Sequence, residues 1–159
     1  MDDIIIRQAV EDDVDRIGEL WKRLVTHHRL LDEQLPEAAE DGDKLYAHHI
    51  LNRLEDQLTR VFVAEVDGQV VGYVFGIVVD LVPEMFIAEP GGFLADIYVD
   101  EKYRGKGIGR DLVDALTKWF RARGVAYVEL YVANKNDDAR DFWDKIGAKD
   151  LMTRVRFKI

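Results

Sequence analysis

Two hydrophobic rhythms run through this chain, one repeating every second residue and the other every third or fourth. The first marks strands and the second marks helices packed on one side. A short strand is predicted over 4–8. A helix follows over about 12–31, where Val14, Ile17, Leu20, Trp21 and Leu24 recur at helical spacing behind an aspartate cap, and Pro36 closes the region. A second helix, roughly 43–58, is expected to turn Leu45, Leu51, Leu54 and Leu58 inward. The run from Val61 to Val66, the Asp67-Gly68 turn and the returning run from Val70 to Val79 form a hairpin. After Gly91-Gly92 come a strand over 93–99, a glycine turn, and a helix with Ile108, Leu112, Val113, Leu116 and Phe120 on one stripe, stopped at Gly124. A strand over 127–132, a helix over 137–146 closed by Gly147, and one or two final strands over 151–159 complete the pattern. The succession is that of a mixed α/β sheet with helices on both faces.

Composition narrows what such a sheet can do. With 159 residues, 48% of them hydrophobic, there is material for one sizeable core, so a single domain over 1–159 is expected. The chain has no cysteine, which excludes disulfides, thiolate metal sites and a cysteine nucleophile. Met1-Asp2-Asp3 offers no basic leader and no long apolar run follows, so a cytoplasmic location without a membrane partner is expected. A net charge of −9 and the lack of an extended basic face disfavour nucleic acid.

Against that acidic background one basic island stands out. Lys102, Arg104, Lys106 and Arg110 surround Gly105, Gly107 and Gly109, with no acid between Lys102 and Arg110. Glycines let an anion approach the main chain, and the helix that starts here points unpaired N–H groups and its positive dipole end at it. A P-loop would follow Gly-Lys with Ser or Thr, whereas Lys106 is followed by Gly107; the dinucleotide fingerprint Gly-x-Gly-x-x-Gly is not matched either.

Arg104-Gly105-Lys106-Gly107-Ile108-Gly109 instead resembles the acyl-coenzyme A signature of the GNAT (N-acetyltransferase) family: Arg or Gln, two residues, Gly, any residue, then Gly or Ala. The stretch from Asn136 to Ala148 is similar to that family's later motif, and Ile6-Arg7-Gln8-Ala9 followed by Glu11-Asp12-Asp13 resembles its opening strand and helix cap. The resemblance implies a mixed, mostly antiparallel central sheet with helices on both faces. It also implies transfer of the acetyl group of acetyl-CoA to a primary amine by direct attack in a ternary complex. The cofactor's arm would pair with the main chain of Ile97, Tyr98 and Val99. Amides from Arg104 through Lys106 and Ile108 to Gly109 would take its pyrophosphate, and Asn136 would bond to the arm, although an asparagine opening a helix also serves as a cap.

Direct attack needs a neutral amine, yet an alkylammonium of pKa near 10.4 is deprotonated in only about one molecule in a few thousand at pH 7. Asp96 is the first candidate base. Alternation puts it with Tyr98 on the strand face opposite Ile97 and Val99; Glu84 and Glu101 are weaker candidates. The leaving thiolate needs a proton, and many relatives supply it from a tyrosine where this chain has Phe142-Trp143. Trp143 cannot act as that acid but can pack on or bond to the cofactor, leaving the acid role to Tyr98, Tyr131 or water. Lys145 is expected to be solvated. The pairs His27-His28 and His48-His49 point about 100° apart on a helix and cannot each chelate one ion, so no metal is expected. The acidic stretch from Asp32 to Asp41 suits a cationic amine. A homodimer is a further expectation, from open strand edges and the apolar run 81–87. The alternative function is a catalytically silent acyl-CoA-binding sensor or interaction module.

Overall fold

The computed structural model describes residues 3–80 and 82–159. It contains β1 (Ile4–Gln8), α1 (Val14–Leu31), α2 (Gly42–Leu51), β2 (Thr59–Val66), β3 (Gln69–Val79), β4 (Gly91–Val99), α3 (Ile108–Ala122), β5 (Tyr127–Glu129) and α4 (Asp137–Ile146). The strands lie in the order β1-β2-β3-β4-β5. The first three pairings are antiparallel and β4–β5 is parallel, which is the mostly antiparallel mixed sheet expected.

Helices cover both faces. One core layer joins Val14, Ile17, Leu20 and Leu24 of α1 and Ala47 and Ile50 of α2 to Val61, Val63, Tyr73, Phe75 and Tyr98 of the sheet. The other joins Ile108, Leu112, Leu116 and Phe120 of α3 and Trp143 of α4 to Val71, Val74 and Leu94. The helices α1 and α2 approach closely because Gly18 has no side chain; a Cβ there would sit 2.2 Å from the Asp43 carbonyl oxygen.

The first helix is anchored differently from the cap predicted for it. A 3-10 turn over 11–13 precedes it, and the buried Asp13 carboxylate turns back to accept from Arg7 Nη1 at 2.7 Å, Arg7 Nη2 at 2.9 Å and the Val10 amide at 2.8 Å. Arg7 also pairs with Glu65 at 2.8 Å, tying β1 to β2.

Three expectations are corrected. The second helix ends at Leu51 rather than 58, and its buried positions are Gly42, Ala47 and Ile50; Leu51 and Leu54 do pack against the core, but Leu45 and Leu58 are 58% and 41% exposed. The fifth strand has ladder partners only over Tyr127–Glu129, not to 132. Residues 151–159 form no strand at all, and every one of them is exposed. Leu81, part of the apolar run linked to a homodimer, lies outside the described residues; Met85, Phe86 and Ile87 are exposed.

Candidate active site

The site is organised by β4. On one side this strand pairs with β3 from Gly91 to Val99, but on the other it meets β5 only through Gly91, Gly92 and Phe93. From Leu94 onward the two parallel neighbours separate, so the outer backbone edge of 94–99 faces a gap within the sheet. Beyond Val99 the chain makes a 3-10 turn over 101–103, passes through the glycine turn and enters α3.

The glycine turn has the open geometry an anion needs. Gly105 and Gly107 hold φ of +77° and +84°, a left-handed conformation that disfavours side chains, and nothing lies within 4 Å of where a Cβ would project. Gly107 is the residue before α3, so the first-turn N–H groups at Ile108, Gly109 and Arg110 face the same space. Gly109 lies against the Phe142 ring, 3.3 Å from the position a Cβ would occupy. Arg104 folds back on the strand: its Nε donates to the Val99 carbonyl oxygen at 3.0 Å and its guanidinium lies 5.2 Å from the centre of the Tyr98 ring. Lys106 Nζ lies 5.5 Å from the centre of the Tyr103 ring.

Asp100 fixes this turn to the rest of the molecule. Its amide donates to Val71 O, its Oδ1 caps Lys102 N at 3.2 Å, and its Oδ2 pairs with Arg23 at 2.9 Å and Arg16 at 3.5 Å, both on α1. Sequence reasoning missed this residue, since the acid looks like one more solvated charge at a strand end.

Asp96 and Tyr98 do share the α1–α2 face of β4, while Ile97 and Val99 pack with the α3 layer. A bulge shapes the spot: Phe75 is opposite Asp96 and Gly76 opposite Leu94, leaving Ala95 as the extra residue. The Asp96 Oδ2 accepts from the Tyr46 hydroxyl of α2 at 2.6 Å. Burial pushes the Asp96 carboxyl up to about 6, against a smaller downward pull from that hydrogen bond. Tyr46 stacks on Trp21 with ring centres 4.9 Å apart and lies 5.8 Å from the His49 ring and 6.2 Å from the Tyr73 ring. The fully buried Tyr73 hydroxyl makes no hydrogen bond of ordinary geometry. Burial raises the pKa of Tyr46, Tyr73 and Tyr98 and lowers that of His49. Nothing in the sequence linked Tyr46 to Asp96, because the pairing spans 50 positions and two elements.

The remaining candidates fall elsewhere. Glu84 and Glu101 are exposed, as are Lys145 and Tyr131, whose ring meets Phe93 at 5.7 Å. Asn136 caps α4, its Oδ1 accepting from Ala139 N at 3.2 Å. Trp143 is buried in the α3–α4 layer, and it is Phe142 that reaches the glycine turn. Among the described residues no three His, Cys, Asp or Glu side chains converge as a metal site would require. Nor is any described helix long and apolar enough to cross a membrane.

An open-edged strand running through a glycine turn into a helix is a recurrent arrangement, and the sequence profile of the Acetyltransferase (GNAT) family matches residues 24–148. The chain belongs to this family. An N-acetyltransferase of Methanocaldococcus jannaschii, itself uncharacterised, is 29% identical over 147 residues, covering 91% of this chain and 60% of that protein. The chain thus spans less than two thirds of that relative's length. Among solved structures, the BH1408 protein from Bacillus halodurans superposes with a TM-score of 0.88 at 22% identity, covering 98% of this chain and 99% of that one. An aminoglycoside N-acetyltransferase in complex with CoA superposes with a TM-score of 0.77 at 18% identity, covering 100% and 96%. At those identities the likeness is one of GNAT fold.

Proposed function

We propose that the 159 residues form one acetyl-CoA-dependent N-acetyltransferase domain acting on a primary amine. The observation that carries the reading is that β4 bears an open backbone edge and a largely buried carboxyl of raised pKa, and leads within a few residues into the glycine turn that opens α3. The partners are acetyl-CoA, an amine and a second copy of the chain.

The residues present suit the cofactor. The space over Gly105 and Gly107, free of any Cβ, takes the pyrophosphate against the N–H groups opening α3, with Lys106 and Ile108 in the same turn. The edge of Ile97, Tyr98 and Val99 takes the extended arm. The Val99 carbonyl is already engaged by Arg104, so the bonds offered to the arm come from elsewhere along that edge. Asn136 Oδ1 is committed to its cap, leaving its Nδ2 to donate. Trp143 acts by supporting Phe142, with ring centres 5.0 Å apart, rather than by direct contact.

Bound acetyl-CoA supplies an activated carbonyl whose C–S bond breaks as the amine nitrogen bonds to carbon. The Asp96 carboxylate, about nine-tenths ionised at pH 7 if it titrates near 6, receives the ammonium proton directly or through water. Tyr46 orients that carboxylate. Tyr98, on the same face near Arg104, is the candidate to give a proton to the departing thiolate; burial raises its pKa, which keeps it protonated but makes it a reluctant acid, so water is the other donor. The exposed acids of the 32–41 loop and the aromatic surroundings of Tyr46 favour a cationic acceptor.

Calorimetric binding of acetyl-CoA, run beside a free-thiol assay over polyamines, aminoglycosides, amino acids and peptides, tests this. The chain contributes no thiol background. Binding with thiol release for one amine class is expected. Binding with no release from any amine would favour the silent acyl-CoA module, and no binding would overturn the cofactor reading.

A further inference from the structure

The sheet face under α3, opposite the one that carries Asp96, holds a cleft of about 620 Å³ between α3 and the β1–β2 edge. That volume is in the usual range for a small-molecule site. Ile6 of β1, Phe62 of β2, and Ala115 and Trp119 of α3 form an apolar wall. The charge in the cleft comes from Asp111, Asp114 and Lys118, all on α3 and all exposed. None of the three forms an ion pair with a described residue.

The cleft has a direction. At 1.5 Å of rise per residue, the middle of the Asp111 and Asp114 pair lies about 8 Å along the helix axis from Lys118. The lysine end gathers further positive charge, because the guanidinium groups of Arg60 and Arg123 lie 5.5 and 5.4 Å from the centre of the Trp119 ring. It also lacks an acceptor. Arg60 Nε and Trp119 Nε1 are both buried, and among the described residues neither finds a hydrogen-bond partner. Buried donors are seldom left in that state, so this end calls for an acceptor from outside the chain.

We infer that the cleft binds an apolar zwitterion of dipeptide size. Its ammonium group lies at Asp111 and Asp114, its side chains lie against Ile6, Phe62 and Ala115, and its carboxylate lies toward Lys118, Arg60 and Trp119. Two extended residues span about 7 Å, which matches the separation of the charges. A simple anion would leave the two acids unmet, and a polyamine would leave the basic end unmet. The sheet separates this cleft from Asp96, so its ligand is not the amine to be acetylated.

Calorimetric titration of the full chain with Leu-Phe, Phe-Leu and Val-Val, each also as its N-acetyl and its C-terminal amide form, tests the inference. At least one free dipeptide is expected to bind saturably at about 1 mM or tighter, and either cap, which removes one charge, should weaken it about threefold or more. Asp111→Asn/Asp114→Asn should weaken the free dipeptide and leave its N-acetyl form unchanged. Lys118→Gln should weaken the free dipeptide and leave its amide unchanged. These side chains are exposed, so the circular dichroism of both variants should match that of the native chain. No saturable binding of any free dipeptide, capped forms that bind as well as free ones, or variants that bind like the native chain would each overturn the inference.

Discussion

Replacing Asp96 by Asn should make the protein more stable and less active, and the gain in stability should depend on pH. In the folded state this carboxyl titrates near 6 because it is largely buried, against 3.8 for an ordinary aspartate. A shift of about 2 units costs the folded state about 3 kcal/mol once the group is ionised in both states. The sign follows from proton counting. Between pH 3.8 and 6 the folded chain holds a proton at Asp96 that the unfolded chain has lost, so stability attributable to this group falls as pH rises through that window and levels off above it. An asparagine cannot ionise, yet its carbonyl oxygen still accepts from the Tyr46 hydroxyl. The variant should therefore match the native chain near pH 4 and exceed it at pH 8 by at least about 1 and at most about 3 kcal/mol, or roughly 2–10 °C in Tm for a chain of this size. Urea unfolding of both proteins at several pH values isolates the term, since every other group cancels in the difference. A variant less stable than the native chain at pH 8, or a difference that is flat with pH, would refute the assignment of a strained, ionised Asp96.

Four further outcomes follow from the same geometry. With the proposed function, the native chain's kcat/KM should fall on the acid side of about pH 6, tenfold per unit, and Asp96→Asn should lower the plateau by about 10²–10⁴ while removing that limb, as read by the thiol assay across pH. Gly107→Ala should cost about 1 kcal/mol or more in strain at φ +84° and weaken acetyl-CoA binding about tenfold by calorimetry, with the free protein still folded. Gly76→Ala should destabilise by about 1–3 kcal/mol in urea unfolding, because the added Cβ would lie 2.5 Å from Leu116 Cδ1 and 3.0 Å from Phe120 Cζ. Asp13→Ala should lower stability by about 1–3 kcal/mol at pH 7, since it strips Arg7 and the Val10 amide of their acceptor. The loss should shrink below pH 4, because burial raises the Asp13 pKa but the Arg7 and Val10 hydrogen bonds outweigh it and hold it below 3.8.

What could be read from the sequence was whatever local chemistry alone decides. The stripe of Ile108, Leu112, Leu116 and Phe120 set α3, the positive φ at Gly107 and Gly147 set where helices begin and end, and alternation put Asp96 and Tyr98 on one face. Contacts made across the fold were not legible. The inward face of α2 follows from Tyr46 stacking on Trp21 and from Ala47 fitting near Gly18, so leucine spacing misled and left Leu45 in solvent. Tyr46 and Asp100 looked ordinary until α1 and α2 were brought over β4. The alternation over 151–159 points to a strand, but alternation states only that a segment can pair, and these residues form none.

Asp100 has an evolutionary consequence. One carboxylate holds the turn leading to the glycines and, through Arg16 and Arg23, the N-terminal part of α1. A lineage adapting to a new acceptor is therefore not free to redraw all of α1. Exchanging either arginine would disturb the glycine turn along with α1, whereas no ion pair or hydrogen bond ties the described residues from His27 through Asp41 to Asp100. Divergence among descendants of this chain should concentrate in that later stretch, with Arg16, Arg23 and Asp100 inherited as a set.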